Sequence, residues 1–158
     1  MTYPFPTAAD DERHRELGLE PVHYSADQLD AAAAAWQTLC AEPASSDTFV
    51  RLLAVREGSV AEATVLWDAL VHHRKQGLRQ YTDRSARHYV QRYGRQMLSE
   101  RSCSRAITDL LQAGLLVSWP QKKNVASRIR LDWVALHIEL QQLTATPCVL
   151  PGLDAEVD

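Results

Sequence analysis

SERSCSRAITDLLQAGLL, residues 99–116, has two sides when wound as a helix. Cys103, Ile107, Leu110 and Leu111 fall on one side, at the spacing of a core-facing stripe. Arg101, Arg105, Thr108 and Gln112 fall on the other. Ser99 is a good N-cap, and Gly114 is a stop signal. One side is made for a core, and the other is free to meet an anion.

Reading toward the N-terminus, Thr82 or Asp83 caps a preceding helix with a stripe of Ala86, Tyr89, Val90 and Tyr93. Arg84, Arg87, His88 and Gln91 lie opposite, and Gly94 ends it. Leu78 to Tyr81 reads as a short strand. Before it, Ser59 and Glu62 form a capping box for a helix carrying Val60, Ala63, Thr64, Trp67, Leu70 and Val71. Gln76-Gly77 ends that helix. Reading toward the C-terminus, Leu115, Val117 and Trp119 alternate, as do Ile129 and Leu131 with Arg128 and Arg130 in the other phase. Pro120 to Asn124 is turn-rich. The segment predicts a β-hairpin whose loop holds Lys122 and Lys123. A last helix runs from Trp133 to Leu143 with a stripe of Trp133, Leu136, Leu140 and Leu143.

Two further helices precede these elements. Ser25 and Gln28 form a capping box ahead of DQLDAAAAAWQTLC, with Leu29, Ala32, Trp36 and Leu39 on one face. Residues 42–46 break it, and a short helix follows from Asp47 to Val55. The expected organisation is a loose acidic arm (1–23), a helical segment (24–57), a main domain (58–143) and a loose tail (144–158). The N-terminal helices either extend the core or cap it. The fold class is mainly α, with a small β-hairpin.

The order helix, short strand, helix, helix, hairpin is that of a winged helix-turn-helix. From Glu62 to about Leu143 the chain resembles the winged-helix DNA-binding domains of phage and plasmid replication proteins and mobile-element regulators. Ser99, Cys103, Arg105-Ala106-Ile107, Leu110-Leu111 and Ala113-Gly114-Leu115-Leu116 carry the resemblance. It covers about half the chain. Tyr89 stands where a Leu or Trp is usual, and Cys103 where a Val or Ile is usual. The resemblance implies a DNA-binding protein acting in replication initiation or transcriptional control.

The chemistry of reading DNA assigns roles to these residues. A helix fits the major groove, and an arginine fork can bridge guanine O6 and N7. Arg101 and Arg105 are one turn apart and are the candidate base readers, flanked by Ser102, Ser104 and Thr108. Asp109, a turn beyond Arg105, either holds that arginine or forms a solvated pair. Arg84, Arg87, Gln91 and the helix start at Ser99 would face phosphate. Lys122, Lys123, Arg128 and Arg130 would make a basic wing. The plainer reading of each cation is a solvated side chain, and of Arg128 and Arg130 a charged edge that blocks strand pairing.

Charge distribution supports a polyanion partner more than net charge does. The chain of 158 residues has a formal charge of −3. Residues 1–71 hold 4 basic and 12 acidic side chains, residues 72–132 hold 13 and 4, and residues 133–158 hold none and 4. A basic middle lies between acidic ends. With 46% hydrophobic residues and 23% charged, the chain can build a core. No apolar run reaches the length of a membrane span, and MTYPFPTAADDERHRE has no signal core. Cys40, Cys103 and Cys148 are odd in number and far apart, as expected in the reducing cytoplasm.

No P-loop, GxSxG, HExxH or CxxC motif occurs, so neither catalysis nor a cofactor is expected. His72-His73 reads as a surface pair at a helix C-terminus, favoured by the dipole, rather than a metal site. Cys103 reads as an inert buried thiol. Three functions compete: a DNA-binding protein, an interaction module on a winged-helix scaffold serving a larger nucleic-acid machine, and an inhibitor docking through residues 1–57. The last helix, 133–143, could form a homodimer or pack on its own domain.

Overall fold

Four serines set where four of the helices begin. In a computed structural model of the protein, the described residues are 24–42, 46–78, 81–94, 98–118 and 128–145. They form α1 (Ala26–Ala41), α2 (Ser46–Val55), α3 (Val60–Gln76), α4 (Ala86–Tyr93), α5 (Glu100–Gln112), β1 (Leu116–Ser118), β2 (Ile129–Leu131) and α6 (Trp133–Ala145). Ser25 accepts the Gln28 N–H, and Gln28 Oε1 accepts the Ser25 N–H, closing the capping box of α1. Ser59 accepts the Glu62 N–H at the start of α3. The second half of that expected box does not form. The Glu62 carboxylate goes instead to Arg56, 2.9 Å away, where a full charge competes better than a neutral amide.

The cap of α4 is Ser85, not Thr82 or Asp83. Thr82 is committed elsewhere. Its N–H donates to Ile129 O at 2.7 Å, and its carbonyl accepts from Ile129 N at 2.8 Å. The short strand expected at Leu78 to Tyr81 is thus a single bridge at Thr82; residues 79 and 80 lie outside the described residues. On its other edge β2 pairs antiparallel with β1, Leu116 facing Leu131 and Ser118 facing Ile129. The expected hairpin loop, with Lys122 and Lys123, also lies outside the described residues, as do the arm 1–23 and the tail from residue 146.

One core runs through all the described elements. Ala32 and Trp36 of α1, Leu52 of α2, Leu66 and Leu70 of α3, Tyr89 of α4, Leu110 of α5, Leu131 of β2 and Leu136 of α6 belong to it. The N-terminal helices therefore extend the core: α1 packs on α6, and α2 on both α3 and α6. Trp36 and Trp133 meet at 5.1 Å in a tilted pair, worth about 1 kcal/mol beyond the area buried. The stripe of α6 faces this core. Leu136 is fully buried and Leu140 is half-buried, while Leu143 is 36% exposed. Most of the surface considered for a dimer is used inside the chain. Among the described residues no helix is long and apolar enough to cross a membrane.

Candidate nucleic-acid interface

α5 separates its two faces cleanly. Cys103, Ala106 and Leu110 are buried against α3 and α4, while Arg101, Ser104, Arg105 and Thr108 are exposed. Burial pushes the Cys103 thiol pKa up, keeping it protonated and inert. Its 13 residues make a rod of about 20 Å. The cap is a serine pair. Ser99 Oγ accepts the Ser102 N–H, and Ser102 Oγ accepts the Ser99 N–H while donating to Ser99 O. Ser102 thus spends its proton on the cap and sets the helix start instead of offering a donor to a base. Among the described residues the Ser99 hydroxyl accepts at the cap and does not donate there. Thr108 donates back to the Ser104 carbonyl at 3.1 Å.

The pairing of the cations divides the candidate residues. Ion pairs among the described residues join Arg56 to Glu62 and Arg84 to Asp68, and the His88 ring also lies beside Asp68. Arg101, Arg105 and Arg87 are not among them, and Asp109 does not hold Arg105. Arg87 and Gln91 are exposed one turn apart on α4, and Arg128 is exposed just before β2.

Arg84, an expected phosphate contact, and Arg130, an expected wing residue, are used inside the fold. Arg84 precedes α4 instead of riding on it, and its Nε lies 3.3 Å from Asp68 Oδ2. Asp68 is a buried carboxylate on α3, 3% exposed. It also accepts the Tyr93 hydroxyl at 2.8 Å, and His88 Nε2 lies 3.6 Å away. A buried charge requires a partner, and Arg84 supplies it. Burial and the bond to Asp68 raise the Tyr93 hydroxyl to about 12. Strand alternation predicts an exposed Arg130, but it is 8% exposed, with its guanidinium 5.4 Å from the centre of the Tyr81 ring. β2 is covered on both faces, so alternation does not expose every second side chain.

A place in the last turn of α3 predicts a surface position for His73. It is 1% exposed. Its Nδ1 lies 2.8 Å from Gly77 O, and its Nε2 accepts the Leu131 N–H at 3.2 Å. Burial, the largest cause, lowers its pKa to about 4. No local signal marks a partner 58 residues away. Among the described residues no cluster of three His, Cys, Asp or Glu side chains could hold a metal ion. Comparison with protein-family models, curated proteins and solved structures returned no match.

Proposed function

We propose that the protein binds duplex DNA as a winged helix-turn-helix, with α5 in the major groove. Its setting would be the cytoplasm, in replication initiation or transcriptional control for a plasmid or other mobile element. The observation that carries this reading is the different state of the cations. Arg84 and Arg130 are used within the fold, whereas Arg101 and Arg105 stand open, one turn apart, on a helix whose back is locked in the core. Two planar forks at that spacing can reach adjacent base edges. The order α3, Thr82 bridge, α4, α5, β1, β2 supports the same reading, with β2 between Thr82 and β1. Ser99 and Arg87 are the phosphate contacts in this scheme, with Arg128 on the hairpin side.

The test is titration of the full chain with duplexes of random sequence and from its genomic neighbourhood, at about 50 and about 200 mM salt. Each phosphate neutralised contributes a slope of about −0.9 in log K against log salt. Binding with such a slope, and a preferred fragment that survives the higher salt, supports base reading. Binding indifferent to salt and duplex would overturn it in favour of an interaction module on the same scaffold.

A further inference from the structure

β2 has two edges, and the one away from β1 has an unusual partner. Ile129 exchanges both of its backbone bonds on that edge with Thr82. In an antiparallel ladder the next group facing the same way belongs two residues on, at Leu131. The Leu131 N–H goes to the His73 ring, at Nε2, 3.2 Å away. An imidazole thus takes the place in the ladder that a carbonyl of a longer third strand would fill.

The two bonds of the ring fix its protonation. A peptide N–H only donates and a carbonyl only accepts. Leu131 therefore requires a lone pair at Nε2, and Gly77 O requires the proton at Nδ1. Both are met by one neutral tautomer alone. A second proton at Nε2 would turn an N–H against an N–H and leave the Leu131 donor without an acceptor in a buried site.

We propose that His73 is a proton-sensitive latch that positions β2, and with it the hairpin side of the DNA surface: neutral, it holds the strand, and protonated, it lets the strand go. The consequence for binding rests on the duplex reading above; the hydrogen-bond switch does not. The titratable and charged groups facing the ring are His72 and Asp68 from α3 and Arg130 from β2. His72 and Arg130 oppose a second proton, and Asp68 favours it. The buried side chains that α2 and α5 offer to the core, Leu52 and Cys103, Ala106 and Leu110, are uncharged. Burial dominates, and the closed ring accepts its proton at about 4, against 6.5 for a free one. By linkage, the population of the released strand rises about 30-fold between about pH 7.5 and about pH 5.

The sign separates this latch from ordinary histidine chemistry. His72 and His137 are partly exposed. Protonating them adds positive charge and would strengthen binding to a polyanion in acid. The latch predicts the reverse. The experiment is amide exchange by NMR on the full chain, with duplex binding followed on the same samples from about pH 7.5 to about pH 4, for the wild type and His73→Gln. Glutamine keeps a carbonyl acceptor for Leu131 and does not titrate. The expected result is an exchange protection at Leu131 that falls about 30-fold from about pH 7.5 to about pH 5, after correction for intrinsic rates, while Leu110 in α5 stays better protected than Leu131 throughout. Duplex affinity falls with it, and both effects disappear in His73→Gln. Unchanged protection at Leu131, or the same loss in His73→Gln, overturns the latch. Affinity that rises steadily in acid overturns its control of binding. Release of Leu131 without duplex binding at any pH overturns the interface reading while supporting the switch. If His73→Gln fails to fold, the nitrogen shifts of the wild-type ring decide the matter. A proton on Nδ1 at neutral pH and a midpoint near 4 support the latch; a proton on Nε2 or a midpoint near 6.5 overturns it.

Discussion

The indole N–H of Trp133 donates to the carbonyl oxygen of Ala32 at 2.8 Å, joining residues 101 apart in sequence. That bond ties the start of α6 to the middle of α1, inside the core they share. Tyr24 makes a second tie, donating its hydroxyl to Asp132 Oδ2 at 2.8 Å, while Asp132 Oδ1 accepts the Ala135 N–H at the start of α6. Trp133→Phe keeps most of the packing and loses the donor. It should cost about 1–3 kcal/mol, read as a lower urea midpoint. A midpoint equal to wild type would mean that α1 is held by packing alone.

Asp68 and Arg84 should behave as one unit. Asp68→Asn leaves the guanidinium without its counter-charge. Arg84→Gln leaves a buried carboxylate with only the Tyr93 hydroxyl and His88 beside it. Each should destabilise, and the double variant should cost less than the two together, with a coupling of about 1–3 kcal/mol. Arg84→Gln should leave the salt slope of duplex binding unchanged. A slope shallower by about one would return Arg84 to the phosphate contacts.

Acid should weaken the fold through His73. Its folded pKa lies below the unfolded value, so the unfolded chain binds the extra proton first. The contribution is complete above 6.5 and is lost as pH falls toward about 4. It amounts to about 3 kcal/mol. His72 and His137 are shifted the same way by burial and add in the same direction. Urea midpoints that hold level from neutral pH down to about 4 would contradict this.

The turn between α2 and α3 holds Glu57 at φ 54° and Gly58 at φ 86°. Only the second has the residue that such a conformation favours. Glu57→Asn should raise stability by about 0.5–1 kcal/mol, and Gly58→Ala should lower it by about 1 kcal/mol or more. Thermal melts of the two variants that shift in the same direction would refute the assignment of strain to Glu57.

Local chemistry was readable in the sequence, and long-range chemistry was not. Ser25, Ser59 and Ser99 announce their helices because capping is settled within three residues. The start of α4 was misplaced because Thr82, Asp83 and Ser85 are all capping types, and only the bridge to Ile129 removes Thr82 from the choice. The apolar back of α5 was legible from spacing. The contacts of Arg84 with Asp68 and of Arg130 with Tyr81 are not legible in a basic stretch, because both partners come from other elements. The burial of His73 is hidden for the same reason. The exposure of Arg101 and Arg105 is legible from helix phase, because it depends only on which side of α5 the apolar stripe occupies.

The central claim is that the exposed face of α5 reads DNA. The most direct measurement is the affinity of Arg101→Ala and Arg105→Ala for a preferred duplex, beside their urea midpoints. Each change should weaken specific binding by about tenfold or more, since a bidentate arginine contributes about 1–3 kcal/mol. The midpoints should stay within about 0.5 kcal/mol of wild type, because neither side chain is buried. Wild-type affinity in both variants, with the fold intact, would contradict the account.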